Sequence, residues 1–211
     1  MKGGTAMSSL VVSKYSPIVN EQEVEFGDKS SPIWLLINPK YLADYRTIWT
    51  PILEVIQDKV YRQLRRRINS QSIFVKYAAS DIGIIPNSWR ASVIADEITL
   101  LKESILKYRP TILITFGAVA YELARRIVET KMETGPNYWN TVNLENEFEQ
   151  AIAKFNINRT NQIPLPRRFK KPYEDDDLFS WDEDENYVRE IGTKIADKVI
   201  ENKDNLKIWI E

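Results

Sequence analysis

Three short apolar runs, separated by amphipathic stretches, dominate the pattern of hydrophobic and polar positions along the chain. They cover residues 33–37, 72–79 and 111–116. The first run is too short for a lone helix, and its continuous apolarity is typical of a strand covered on both faces. Between and after the runs, apolar residues recur at steps of three and four, which predicts helices over residues 51–68, 94–108 and 117–127. Thr50 and Pro51 form a typical helix start, as N-cap and first helical residue.

The second half of the chain is less regular but continues the alternation of elements. We predict a short helix over residues 145–155, a proline-containing edge strand over 162–165, a charged loop, a helix over 187–200 and a terminal strand over 206–210. Residues 10–29 fit a lid segment or an edge strand. The order of strands and helices indicates parallel βαβ units, and hence an α/β fold. We expect an N-terminal extension over residues 1–30 and one domain over residues 31–211.

Composition excludes several classes of chemistry. The chain has 211 residues and neither cysteine nor histidine, which removes disulfides, thiolate metal sites and histidine-based catalytic triads. With 29 basic and 30 acidic side chains, nucleic acid must be bound by a local patch if at all. The arginines at positions 62 and 65–67 are interpreted as a helix end that offsets the helix dipole rather than as a phosphate patch. We find no signal peptide or membrane span and predict a soluble, cytoplasmic monomer.

Polar residues directly follow the first apolar strand. Open α/β sheets bind ligands beyond the carboxyl ends of their strands, so the segment from Asn38 to Tyr41 falls where a site is expected. The alternative is a loop with incidental polar residues, in which Asn38 is only a turn residue before Pro39.

Three segments, in order, resemble motifs of the uracil-DNA glycosylase superfamily. Leu36-Ile37-Asn38-Pro39 is similar to the G-x-N-P-G strand end of the mismatch-specific and single-strand-selective branches, without its glycines. Arg109-Pro110-Thr111-Ile112-Leu113-Ile114-Thr115-Phe116-Gly117-Ala118, preceded by Glu97 and Leu101, is similar to the family's segment of helix, buried strand and glycine turn. Ile163-Pro164-Leu165-Pro166-Arg167-Arg168 stands where the family shows L-P-H-P-S. The resemblance implies a three-layer α/β/α fold with a short, mainly parallel central sheet.

The resemblance also implies a catalytic apparatus. Such an enzyme flips a nucleotide out of the DNA stack and cleaves its N-glycosidic bond without metal or cofactor. Asn38 would hold the attacking water through its side-chain carbonyl, and Asp44 is an alternative group to activate it. Arg167 stands in place of the family's histidine, where its permanent charge would stabilise a departing anionic base or clamp a phosphate.

The remaining site residues would form the base pocket and the DNA contact. We expect Pro39, Tyr41, Tyr77 and Asp81 around the base, although a tyrosine packed in the core is the simpler account of Tyr77. Aromatic residues at positions 41, 45 and 49 would stack on the base or mark a packed helix face. The predicted DNA-binding loop places an apolar wedge between cations, and its alternative is a surface loop paired with the acidic block after it; its residues are Arg168, Phe169, Lys170 and Lys171.

The sequence therefore favours a monofunctional DNA glycosylase that removes uracil or another modified base, such as a hypermodified cytosine of phage DNA, in repair or in phage defence. DNA is the expected partner, and no membrane or metal is expected. One alternative is a catalytically inactive protein of the same fold that binds DNA or a protein partner. Another is a hydrolase of free nucleosides or nucleotides.

Overall fold

The computed structural model describes residues 25–38, 42–78, 91–128, 136–166 and 180–210, without the side chains of residues 42–45, 91–94, 136 and 180–184. The strands are β1 (Glu25–Phe26), β2 (Ile33–Ile37), β3 (Phe74–Tyr77), β4 (Ile112–Phe116) and β5 (Asn161–Leu165). The helices are α1 (Leu42–Leu64), α2 (Ala91–Tyr108), α3 (Gly117–Val128), α4 (Thr141–Ala153) and α5 (Ser180–Glu201), with a 3-10 turn at Pro136–Tyr138.

The strands form one mixed, mostly parallel sheet in the order β1-β3-β2-β4-β5. Strands β3, β2, β4 and β5 are parallel neighbours, and β1 pairs antiparallel with the outer side of β3. The strand β1 comes from the segment predicted as an N-terminal extension or edge strand. The apolar runs predicted as strands are confirmed, and every residue of β2 and β4 is buried.

Helices cover both faces of this sheet. On one face, α1 and α5 pack with alternate strand residues such as Leu35 and Ile114. On the other face, α2 and α3 pack with the intervening residues, among them Trp34 and Leu113. Crossover connections between parallel strands are right-handed. When the order of strands reverses its direction across the sheet, the connecting helices therefore lie on opposite faces. The arrangement is compatible with a three-layer α/β/α fold.

Helix α1 departs from its prediction at both ends. It begins at Leu42, so Pro51 lies inside the helix and the predicted start at Thr50 is wrong. The buried residues Ile48, Trp49 and Ile52 lie on both sides of the proline, and their packing outweighs the backbone hydrogen bond that a proline removes. The helix ends at Leu64 rather than near residue 68, because Arg65 adopts a positive φ of 56°.

Three further expectations are corrected. Helix α5 already begins at Ser180, so residues 182–185 of the acidic block belong to a helix and not to a loop; acidic residues suit the positive end of a helix dipole. The apolar pattern that predicts helix 94–108 places Leu106 on one face with Ile105, but Leu106 is 61% exposed, because successive helical residues point about 100° apart. The terminal strand is reduced to one bridge, between Ile68 and Trp209.

Helices α1 and α5 approach closely at Gly192. A Cβ atom added there would come within 2.7 Å of Val55 Cβ, so only glycine fits without a shift of one helix. This contact fixes α5 against α1, which runs from the end of β2 to the turn before β3.

Candidate functional site

The carboxyl ends of the four parallel strands form one edge of the sheet. Ile37 is level with Tyr77, Leu36 with Thr115, and Phe116 with Leu165. Continuing these registers aligns four residues in a row across the edge, in the order Ala78, Asn38, Gly117 and Pro166. Neighbouring strands are about 4.8 Å apart, so Asn38 and Pro166 are separated by about 10 Å. We call this row the carboxyl edge.

The chain reverses its direction across the sheet between β2 and β4. From β2 it crosses to β3 on one side, and from β3 it returns to β4 on the other side of β2. Ligands of open α/β sheets bind in the crevice outside such a switch point. Asn38 and Gly117 end the two strands that flank it, so the topology favours a site at these two residues.

Helix α3 starts at the switch point without any intervening loop. Gly117 follows the last residue of β4 directly and has a φ of 81°, which a residue with a Cβ rarely adopts. The first amides of a helix have no partner within the helix and carry a partial positive charge. A negatively charged group at this edge would therefore be stabilised by α3.

Asn38 is held firmly at this edge. It is only 8% exposed, and the amide of Ala78 donates to the carbonyl of Ile37 at 2.7 Å, which extends the pairing of β2 and β3 to the edge. Tyr77, the last residue of β3, is 6% exposed and packs in the core on the α1 and α5 face. Tyr77 is level with Ile37, so Asn38 and Tyr77 lie one position apart along neighbouring strands.

Residues near Tyr77 and Asn38 have structural roles that the sequence did not reveal. Lys76 forms an ion pair with Glu25 of β1, as does Lys29. Burial raises the pKa of Glu25, but hydrogen bonds from Lys29 and Lys76 outweigh it and hold this pKa below its usual range.

Trp49, one of the aromatic residues considered for base stacking, is a buried core residue of α1, as the packed helix face predicts.

The other predicted site residues divide into two groups. Asp44 is the third residue of α1, the helix that begins four residues after Asn38, and its side chain lies outside the description. The second group lies outside the described residues altogether and comprises Pro39, Tyr41, Asp81, Arg167, Arg168, Phe169, Lys170 and Lys171. Their assignments stay predictions, and Arg167 directly follows Pro166 at the carboxyl edge.

A buried carboxylate supports α3 behind this edge. Glu122 is fully buried, accepts hydrogen bonds from Arg126 Nε and Nη2 at 3.0 and 2.9 Å, and accepts one from Trp139 Nε1 at 2.7 Å. The Arg125 guanidinium lies 4.6 Å from the centre of the Trp139 ring. The carboxylate is thus satisfied on both oxygens, and it ties α3 to the turn before α4.

Thr115 is a polar residue that sequence reasoning passed over. It lies one residue inside the carboxyl edge and is fully buried, and no described residue forms a hydrogen bond with its hydroxyl. A threonine within an otherwise apolar strand, two residues before a glycine, is the signal that would have indicated it.

Comparisons with known proteins add no relative. No family model matches the chain, and no curated protein or solved structure matches it either. The resemblance to uracil-DNA glycosylases therefore depends on the motifs and on where the fold brings them.

Two further properties concern the described ranges only. None of their helices has the length and apolarity needed to cross a membrane. No group of three or more acidic side chains in those ranges is placed to hold a metal ion.

Proposed function

We propose that this protein is a DNA glycosylase with a fold like that of the uracil-DNA glycosylases, which hydrolyses the N-glycosidic bond of a flipped uracil or other modified base. One observation carries the proposal. The three motif segments are far apart in sequence, yet they end the neighbouring strands β2, β4 and β5 at one edge of the sheet. Asn38, Gly117 and Pro166 are the residues that each segment brings to this edge.

The carboxyl edge is suited to stabilise the negative charge that this reaction develops on the departing base. The water oxygen bonds to the sugar C1′ while the bond from C1′ to the base nitrogen breaks, and the electron pair leaves with the base. The departing base is an anion until it takes up the proton that the water releases. The start of α3 offers partial positive charge at this edge, and Arg167 would add a full one.

Asn38 is the proposed water-holding residue. Its carbonyl oxygen can accept a hydrogen bond from water and so orient the water towards the sugar, but an amide does not remove a proton. The carboxylate of Asp44, in the first turn of α1, is the proposed proton acceptor. Tyr77, the last residue of the neighbouring strand β3, is proposed as a wall of the base pocket, and a modified cytosine of phage DNA is the proposed substrate.

The experiment measures free base by mass spectrometry and abasic sites by alkaline strand cleavage. Substrates are oligonucleotides with defined modified bases and phage DNA that carries modified cytosines. We expect Asn38→Ala to slow base release by about 100-fold, the order of loss expected when a reacting group is no longer held in position. Asn158→Ala, which removes an exposed amide from the turn before β5, is the matched control and should react like the parent. Release from no substrate, or equal rates for Asn38→Ala, Arg167→Ala and the parent, would refute the proposal.

A catalytically inactive DNA-binding protein is the second candidate, and the burial of Asn38 favours it. At 8% exposure, this amide is as well placed to secure a strand end as to hold water. Asn38→Asp separates the two roles, because it keeps the shape but replaces the amide donor by a carboxylate. An enzyme should keep measurable base release in this variant, whereas a purely structural amide predicts lower stability and no base release in parent or variant.

A further inference from the structure

Three consecutive arginines are exposed where α1 ends, at the edge of the sheet opposite Asn38. Arg65, Arg66 and Arg67 follow Leu64, the last residue of α1. Arg62, in the last helical turn, pairs with Asp58 at 3.0 Å. Within the part of the chain that the structure describes, no carboxylate pairs with the three arginines that follow. We call these three residues the arginine patch.

Aromatic rings support the guanidinium groups of this patch. Those of Arg65 and Arg67 lie 5.5 and 5.3 Å from the centre of the Tyr61 ring, and that of Arg66 lies 5.8 Å from the centre of the Trp209 ring. A guanidinium on a ring face still presents N–H donors at its edge. Two cations on one ring repel each other, and an anion bound between them would offset this repulsion.

The backbone beneath the patch is held by hydrogen bonds. Ile210 N donates to the carbonyl of Arg67 at 2.9 Å, and Asn69 N donates to the carbonyl of Ile208 at 2.6 Å. The side chain of Gln57 binds both backbone groups of Ile68, at 2.7 and 2.9 Å. The patch is therefore built on a turn fixed by α1 and by the C-terminal segment.

The arginine patch is separate from the carboxyl edge. Helix α1 has 23 residues and connects the two edges, so its ends are about 35 Å apart. A phosphate held at one edge does not reach the other. Compensation of the helix dipole accounts for Arg62 in the last turn, but Arg65 to Arg67 lie beyond it, so the dipole alone does not explain them.

We propose that the arginine patch binds the phosphate backbone of a nucleic acid without regard to sequence. A guanidinium group can donate two parallel hydrogen bonds to the oxygens of one phosphate. Three adjacent guanidinium groups can therefore bind successive phosphates of a chain. Because the net charge of the chain is −1, such binding has to come from a local patch of this kind. An anionic membrane fits less well, because the rings of Tyr61 and Trp209 that would insert are engaged by guanidinium groups. The proposal does not depend on glycosylase activity.

The test is fluorescence anisotropy with a labelled duplex that contains only ordinary bases, measured over a range of salt concentrations. Each lost phosphate contact lowers the slope of log affinity against log salt by about 0.9. The variant Arg65→Gln/Arg66→Gln/Arg67→Gln should therefore lose between two and three units of slope, and about tenfold or more in affinity at low salt. Thermal unfolding of the same sample checks that the variant is folded.

Two variants beside the patch provide controls of opposite sign. Arg62→Gln removes an arginine that is already paired, so it should change binding much less than Arg66→Gln does. Asp58→Asn releases Arg62 from its partner and should strengthen binding. Because the duplex contains only ordinary bases, the measurement does not depend on base release, and Asn158→Ala, which changes an exposed amide outside the patch, should bind it like the parent. Equal affinity and slope for the triple variant and the parent would overturn the proposal, as would binding of the parent to anionic vesicles or acidic peptides but not to the duplex.

Discussion

The two edges of the sheet are built on opposite physical principles. At the carboxyl edge, Asn38 and Gly117 are buried, and the charge nearby comes from the start of α3 and from the enclosed carboxylate of Glu122. The opposite edge, where the parallel strands begin, is the amino edge. There the arginine patch is exposed, and no carboxylate among the described residues pairs with it. One edge suits a small group enclosed by protein, and the other suits a polyanion met in solvent.

This difference implies that the loss of a charge affects stability and binding differently at the two edges. A buried charge that loses its partner destabilises the fold, so removing a partner at the carboxyl edge should reduce stability strongly. An exposed charge is screened, so changes at the amino edge should alter binding and leave stability nearly unchanged.

The largest effect is expected for the carboxylate of Glu122. Glu122→Ala leaves the indole N–H of Trp139 and the Arg126 guanidinium without their acceptor, and should lower the free energy of unfolding by about 3 kcal/mol. Asp58→Ala is the matched control, because Asp58 also pairs with an arginine four residues later but is exposed. It should cost less than about 1 kcal/mol. Urea denaturation measures both, and equal losses would remove the contrast between the edges.

A smaller effect of opposite sign is expected for Thr115. Its buried hydroxyl has no hydrogen-bond partner in the part of the chain that the structure describes, so Thr115→Val should raise the free energy of unfolding by about 1 kcal/mol. Thr99→Val is the comparison, because the hydroxyl of Thr99 is exposed and donates to the carbonyl of Ala95 at 2.8 Å. It should give no gain. A loss of stability in Thr115→Val would mean that the hydroxyl is satisfied in solution.

The smallest effect is expected at the outer strand and depends on pH. The pKa of Glu25 is lower in the folded than in the unfolded protein, so the ionised group stabilises the fold above the usual carboxyl range near pH 4.3. This contribution disappears as the pH falls through the lowered value. The parent should thus be more stable than Glu25→Gln at neutral pH, and the two should converge in acid. Parallel curves of stability against pH would show that Lys29 and Lys76 do not hold this carboxylate.

The strands were the most predictable part of the fold. Every residue of β2 and β4 is buried, so their apolarity is continuous and visible in the sequence. Helix starts were less predictable. Pro51 and the acidic residues before Tyr187 carry local signals for a start and a loop, yet both helices begin earlier, α1 at Leu42 and α5 at Ser180.

The candidate site was predictable only at the strand ends. The position of Asn38 follows from the end of an apolar run, and topology then places it beside Gly117 and Pro166. The bond from Trp139 to Glu122 joins residues 17 positions apart on separate elements, and no periodic pattern indicates it. The arginine patch shows the same limit, because its significance depends on Trp209, which only folding brings to Arg66.

The amide of Gln57 has a consequence for the thermodynamics of the amino edge. This amide donates a hydrogen bond to the carbonyl of Ile68 and accepts one from its N–H. A single side chain thus makes the pair of backbone hydrogen bonds that a neighbouring strand would make. The conformational entropy of the turn is thereby lost when the protein folds and not when an anion binds. Ligand binding there should show little ordering of the backbone, and a half-buried glutamine that touches no ligand would contribute to the affinity.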